Sequence, residues 1–488
     1  MIPVRLLARE TAHRRYRRVL GVVLSVIAFI VPAGVMAEPE GTARGFAFTA
    51  APSKRVFAAQ PGTAGFALSL PDPVIPAPAA APQRTQSGST AVDLRALREA
   101  KRGGLEAPQR AGVEAGLAWL EDGHWLQRVR AGWHGFLPTL GGFPSGSGQA
   151  FGVLWRKNGV GVRYPGDFTP NRLDLYGAGA VSLRGYYLAL FQVGVARIGG
   201  SPISAATHVG YQYNANESFY GFGEDSSVDN RISFGQSVGA LGAAVWWRAP
   251  WWLYVGGGIG FRDTDIGEGS HEYPPPPDFD PGTIPGFVEE VEYLNYDAFV
   301  QVDWRNEGNP YRGGLYAARW SDWNDRDVGL YSFRELDLEV QQYFPWLMNK
   351  RVIALRARTI MTDADPGQQV PFYLMPTLGG TRDLRGYNYA RFRDRNMLLL
   401  NAEYRAEVWM AMDLALFFDA GKVVADRKDL NFSGLSTDYG IGVRMKTSLS
   451  TFLRADFAFG GEGFHAAITF DNAFDTTPLF TRLLQTVR

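Results

Sequence analysis

From about Trp133 to Phe474 the chain runs in short apolar–polar alternations broken by Gly, Pro, Asn and Asp. A period of two marks a strand with two unlike faces. In Arg334–Tyr343, Leu336, Leu338 and Val340 share one face, while Glu335, Asp337, Glu339 and Gln341 share the other. Leu398–Val408 sets Leu400, Ala402, Tyr404, Ala406 and Val408 against Asn401, Glu403, Arg405 and Glu407. Met412–Gly421 sets Met412, Leu414, Leu416 and Phe418 against Asp413 and Asp419. Tyr439–Lys446 and Thr451–Phe459 place Arg444, Arg454 and Asp456 on the polar side. In the final run Phe464, Ala466, Ile468, Phe470 and Phe474 oppose His465, Thr469 and Asp471, so Phe470 and Phe474 are expected on the outer face of a closing strand.

Counting back from Phe474 predicts strands near 463–474, 450–460, 438–446, 411–420, 396–408, 350–362, 328–343, 313–323, 291–303, 251–262 and 230–247. Less sharply bounded ones fall near 205–215, 184–197, 172–182, 148–157 and 133–142, which makes sixteen. Such strands fit a soluble sandwich, whose apolar face is the core. They also fit a membrane barrel, whose apolar face meets lipid and whose charged face lines a wet lumen. Helices that could cover such a sheet are not evident, aromatics gather near strand ends, and the runs suit a tilted crossing of about 9–11 residues. The expected fold is all-β, a 16-stranded antiparallel transmembrane β-barrel, with its even strand count placing both termini on the periplasmic side. The short links at Arg248–Pro250, Trp409–Ala411 and Thr447–Leu449 then face the periplasm. The long ones, Asp263–Glu290, Gly421–Asp438 and Gly379–Asp394 (GGTRDLRGYNYARFRD), face outward.

The N-terminus agrees with export. Arg14, Arg15, Arg17 and Arg18 precede the apolar run Val19–Val31, and Val35-Met36-Ala37 offers a small-residue cleavage site. This is the pattern of a signal peptide over 1–37, cut after Ala37. The run is shorter than the roughly 20 residues a helix needs to span a bilayer. Mean hydropathy is −0.14 and no later run has spanning length, which excludes a helical-bundle membrane protein but not a barrel. The formal net charge is zero, which gives no basic stripe for nucleic acid. With no Cys among 488 residues, disulfides, thiol nucleophiles and thiolate metal sites are excluded. Residues 38–111 begin as an Ala/Pro-rich periplasmic arm too poor in core-forming side chains to fold alone. Asp93–Lys101 and Gly112–Leu120 are weak helix candidates, and 475–488 continue past the last strand as a C-terminal extension.

Several ordered motifs resemble the barrel of the Omp85 superfamily, also called the bacterial surface antigen D15 domain. LGGTRDLRGY resembles the family's loop six signature, with Leu384, Arg385, Gly386 and Tyr387 at its core. LLLNAEYRAEV resembles the following strand and FFDAGKV (Phe417–Val423) the next signature. YGIGVRMKT and LRADFAFG resemble the last hairpin, and FYGFGEDS (Phe219–Ser226) a further element upstream. The resemblance covers roughly the last 340 residues and is sharpest from Leu378 onward, and the barrel domain is expected over 112–474. The 38–111 arm lacks the strand–helix–helix–strand pattern of the periplasmic POTRA domains, so the chain resembles the short members without them.

The resemblance implies that loop six folds into the lumen and that Arg385 meets Asp419. A guanidinium grips a carboxylate through two parallel bonds that lysine cannot reproduce. Gly386 would let the backbone turn beside it, and Tyr387 would pack its ring on the wall with its hydroxyl bonded. Glu403 and Arg405 either join this array or are ordinary lumen lining. The family's work implies a non-enzymatic, monomeric outer-membrane barrel embedded in outer-membrane lipid. It would insert or translocate protein or lipid, with unfolded outer-membrane or secreted proteins, or lipids, as clients. The alternative is a passive pore or structural barrel without assembly activity. A third reading, a lipase, would rest on Gly235-Gln236-Ser237-Val238-Gly239, but a nucleophile elbow needs a strand-to-helix turn and this segment reads as strand. The acidic stretches GEDSSVDN and DTDIGEGSHE lack EF-type calcium spacing and read as solvated loops. No cofactor or metal site is expected.

Overall fold

The computed structural model describes residues 135–140, 143, 147–162, 171–249, 252–269, 273–277, 279–306, 309–409, 412–446, 451–469 and 474. The expected signal peptide, the 38–111 arm, both helix candidates, Phe470 and the 475–488 extension lie outside these residues.

The strands are β1 (Phe136–Leu140), β2 (Ala150–Val162), β3 (Asn171–Ser182), β4 (Tyr187–Ala196), β5 (Ile203–Phe219) and β6 (Ile232–Ala249). Next come β7 (Leu253–Glu268), β8 (Val291–Asp303), β9 (Gly313–Asp325), β10 (Phe333–Trp346), β11 (Arg351–Ala364), β12 (Thr377–Leu378) and β13 (Phe392–Arg393). The last five are β14 (Asn396–Trp409), β15 (Met412–Val424), β16 (Ser436–Lys446), β17 (Thr451–Gly460) and β18 (Gly463–Thr469). Among the described residues sixteen of these form one sheet in chain order, every pair antiparallel. The short β12 and β13 pair only with each other, inside the segment between β11 and β14. Helical geometry among the described residues is confined to three-residue 3₁₀ turns.

The faces of this sheet are inverted relative to a soluble protein. On β10, Glu335, Asp337, Glu339 and Gln341 are at most 3% exposed, while Val340 is 44% exposed. On β15, Asp413 and Asp419 are buried while Leu414, Leu416 and Phe418 are exposed. Tyr439, Ile441, Phe457 and Phe459 repeat this outward apolar row on β16 and β17. A core sheet in water would bury the leucines and expose the carboxylates. Burying charge is tolerable only where charges pair, and the inward face of β9–β17 is a field of ion pairs. Arg319 bonds Glu335 at 2.8 Å, Arg358 bonds Asp337 at 2.8 Å and Arg356 bonds Glu339 at 2.9 Å.

Several boundaries differ from the sequence reading, and two of the differences move chemistry-bearing residues. The alternation Arg262–Asp263–Thr264–Asp265 continues β7 to Glu268, so Asp263 and Asp265 belong to a strand paired with β6 rather than to an acidic loop. The closing strand β18 runs to Thr469 in its register with β17, and Phe474 is not on its outward row. Phe464, Ala466 and Ile468 do point outward, but Phe474 is 2% exposed and packs with Tyr343, Val352 and Ala354 of β10 and β11. Parity carries a side chain's direction only along one continuous strand.

Candidate functional site: the anchored loop six

The segment 365–395 joins β11 to β14, and all of 370–394 except Arg382 is buried or half-buried. Two features turn it inward. Gly379 and Gly380 adopt φ of 114° and 103°, which side-chain-bearing residues avoid. The Gly380 amide then donates to the carbonyls of Leu384 at 3.1 Å and Tyr387 at 3.2 Å, closing a tight tip around 380–387. Below the tip, β12 and β13 zip the two limbs together at Thr377↔Arg393 and Leu378↔Phe392.

Arg385 stands at the centre. Its Nε donates to Asp419 Oδ2 at 2.7 Å and its Nη2 to Asp419 Oδ1 at 2.8 Å, a two-bond fork. Its Nη1 donates to Glu403 Oε2 at 2.6 Å. The guanidinium also lies 3.6 Å from the ring centroid of Phe417, a cation–π contact at desolvated range. Burial pulls the Arg385 pKa down, but Asp419 and Glu403 outweigh it and hold the group protonated more firmly than usual.

Glu403 is shared. Its Oε2 also accepts from Arg444 at 2.9 Å and its Oε1 from Arg405 Nε at 2.7 Å. Arg444 reaches Asp456 at 2.5 Å, and Asp456 bonds Arg454 at 3.0 Å. Arg405 meets loop six through Glu403, and its Nη1 donates to the Pro310 carbonyl at 3.1 Å and to Asn309 Oδ1 at 3.2 Å. The register explains the convergence. Asn401 lies opposite Asp419 and Glu403 opposite Phe417 across β14–β15, and Asp419 lies opposite Asp438 across β15–β16.

Three further inward side chains grip the backbone of the tip, and one of them, Arg356, lies outside every motif the sequence offered. Arg454 Nη1 donates to the Thr381 carbonyl at 2.8 Å, Arg356 Nη1 to the Arg382 carbonyl at 2.9 Å and Asn401 Nδ2 to the Asp383 carbonyl at 2.8 Å. The sequence places Arg454 and Asn401 on the polar face and does not single out Arg356, and nothing local assigns any of the three a carbonyl partner.

Gly386 is needed for approach rather than for a turn. A Cβ there would stand 2.6 Å from the Cβ of Asp438 and 2.8 Å from the Gly460 amide nitrogen. Leu384 is fully buried with Leu378, Phe392, Met397, Leu399 and Val423. The Tyr387 hydroxyl donates to the Thr437 carbonyl at 3.3 Å and accepts from the Gly461 amide at 3.2 Å.

A second anchor is apolar. Phe372 is fully buried, with the rings of Phe234, Phe287 and Phe219 at 5.0, 5.2 and 5.5 Å. This cluster draws Ile284 and Phe287 of the 269–290 link, and Val370 and Met375 of loop six, into one core. Nothing in QVPFYLM alternates, so the sequence reading missed it.

A third contact clasps loop six from above. FYGFGEDS supplies it: the Gly223 amide donates to the Arg393 carbonyl at 2.9 Å, and Arg391 Nη1 donates to Ser226 Oγ at 2.9 Å while its Nε pairs with Glu462. Ser237 sits mid-strand on β6 between Tyr213 and Asp265, without the strand-to-helix turn of a nucleophile elbow.

Residues 302–467 match the Omp85 superfamily domain profile. No curated protein matches. A crystal structure of BamA from Haemophilus ducreyi lacking POTRA domains 1–3 is similar at 13% identity and a TM-score of 0.50, over 69% of this chain and 71% of that one. At that identity the likeness concerns the fold. CdiB from Acinetobacter baumannii aligns at 10% identity and a TM-score of 0.41, over 68% of this chain and 58% of that one. CdiB from Escherichia coli aligns at 12% identity and 0.42, over 69% and 62%. The span similar to the Omp85 superfamily domain holds the tip of loop six, its fork to Asp419 and the strands that supply Arg356, Asn401, Glu403 and Arg454.

Proposed function

We propose that the sixteen strands close into a transmembrane barrel in the bacterial outer membrane, and that the protein works there without enzymatic chemistry in inserting or translocating protein or lipid. The observation that carries this reading is the loop-six clasp. A passive pore gains nothing from a loop fastened by a buried guanidinium fork, three carbonyl grips and an aromatic core. Such fastening makes sense where a filled lumen must hold its shape while another part of the wall yields. The inverted faces support the membrane setting, because exposed Leu, Phe and Ile rows are stable against lipid and costly against water. Arg385, Gly386 and Asp419 are then positioning residues, Leu384 and Tyr387 seat the tip, and Glu403 distributes one carboxylate among three arginines. The partners of this reading are outer-membrane lipid and unfolded proteins or lipids as clients, handled by a monomer. Residues 1–37 serve as a leader removed after Ala37, and 38–111 as a periplasmic arm.

The test is reconstitution. Vesicles holding the protein receive a urea-unfolded β-barrel protein, and insertion is followed by the gain of heat-modifiable gel mobility. Faster insertion than in protein-free vesicles, reduced by Arg385→Ala, is the expected result. Unchanged insertion together with a large steady conductance in planar bilayers would select the passive-pore reading instead.

A further inference from the structure

The side chain that departs most from the strand pattern is Phe474. β18 is an edge of the observed sheet, yet Phe474 sits on β10 and β11, which lie beyond β17, β16, β15 and β14 in sheet order. Its ring centroid is 6.2 Å from that of Tyr343. Val352 and Ala354, near the start of β11, complete an apolar cluster, and Tyr311 of the 304–312 link packs against it. Tyr343 belongs to the buried row of Glu335, Asp337, Glu339 and Gln341, so the cluster is on the charged face of the sheet. It adjoins the short links 304–312 and 347–350, since Tyr311 packs on it and Tyr343 and Val352 lie next to those links.

One cation ties it to the loop-six array. The Arg405 guanidinium is 5.8 Å from the ring centroid of Tyr343 and 5.8 Å from that of Phe474. Its Nε donates to Glu403 Oε1, and Glu403 Oε2 accepts from Arg385. Phe474, Arg405, Glu403, Arg385 and Asp419 form an unbroken run of contacts from the C-terminal side of β18 to the tip of loop six.

We infer that Tyr343, Val352, Ala354 and Arg405 form a socket for an aromatic side chain on the inner face, that Phe474 fills it in cis, and that its occupancy steadies loop six through Arg405 and Glu403. The placement of the socket at the periplasmic mouth rests on the barrel reading; the contacts do not. The grip is mainly apolar burial, because 5.8 Å is near the outer limit of cation–π attraction, about 6 Å. An aromatic side chain from another chain has to displace Phe474 to enter. The C-terminal side of β18 is thereby an internal competitor for the site and, while seated, a brace on Arg405.

The absence of native Cys makes the test clean, since two introduced thiols report only on each other. Tyr343→Cys/Phe474→Cys and Phe344→Cys/Phe474→Cys are prepared in the full chain and oxidised in membranes, and denaturing gels detect the internal link. Phe344 adjoins Tyr343 but is on the exposed face. The 343–474 link is expected and the 344–474 link is not. The reverse, or a 474 thiol labelled by a lipid-soluble maleimide with no 343–474 link, overturns the socket. Coupling is read by hydrogen exchange of the 380–387 amides. Phe474→Ala should raise their exchange several-fold, and Phe474→Tyr should restore it. Equal exchange in all three proteins overturns the brace even if the link forms. Loss of heat-modifiable mobility in the unaltered protein would count against the barrel reading alone, because the cross-link reports chain proximity whatever surrounds it.

Discussion

Replacing Arg385 with alanine is the most informative single change. It removes two bonds to Asp419, one to Glu403 and the contact with Phe417. The two carboxylates fare differently afterwards. Glu403 keeps Arg444 at 2.9 Å and Arg405 at 2.7 Å. Asp419 keeps the Asn401 amide at 2.8 Å and faces Asp438 across the strand pair. It becomes a buried charge without a cation, and breaking one side of such a pair costs about 3–5 kcal/mol. At about 1.36 kcal/mol per decade this is roughly two to four powers of ten in the opening equilibrium of the tip. Hydrogen exchange of the 380–387 amides reads it directly, because local opening sets their protection. The 370–375 amides, held by Phe372 and its neighbours, should stay protected. Adding Asp419→Asn removes the stranded charge, so the double variant should be less perturbed than the sum of the singles by about 0.5–3 kcal/mol. Additive effects, or loosening spread evenly over 365–395, would refute the clasp as drawn.

Other consequences follow from the same geometry. Phe372→Ala should remove the apolar anchor, cost about 3–5 kcal/mol and lower the urea midpoint of 365–375 opening while leaving the 380–387 tip in place. Gly386→Ala puts a methyl against the Asp438 Cβ and Gly460 backbone, which cannot swing aside, and should abolish tip protection even though alanine is the smallest possible change. Glu224, in the clasp over loop six, has its pKa pushed up from 4.5 to about 7, first by burial and by Asp225, with Lys422 and the Val423 amide opposing. A raised folded-state pKa contributes stability that is full below about 4.5 and lost as pH rises through about 7. Exchange of the 220–231 amides, corrected for intrinsic rate, should therefore speed up between pH 5 and pH 8, and Glu224→Gln should flatten that rise.

The strands were legible because each carries its own two-residue period. Leu336, Leu338 and Val340 against Glu335, Asp337 and Glu339 need no distant partner to declare a face. The Arg385–Asp419 meeting was not readable from spacing, since 34 residues and two strand passages separate them; the resemblance supplied it. Phe372 escaped notice because an apolar residue in an irregular segment has no period to place it. Arg391 escaped because its partners, Ser226 and Glu462, lie in loops far apart in sequence. Phe474 misled because alternation was extended past Thr469, where the described register of β18 with β17 ends.

The central claim is that the exposed apolar rows face lipid while loop six and the charged rows face inward. Single cysteines at 335 through 341 on β10, placed in the otherwise Cys-free chain and carrying a fluorophore, test it with lipids quenched at mid-acyl depth. The account predicts strong quenching at 336, 338 and 340 and weak quenching at 335, 337, 339 and 341. Equal quenching along the strand, or the opposite alternation, would contradict it.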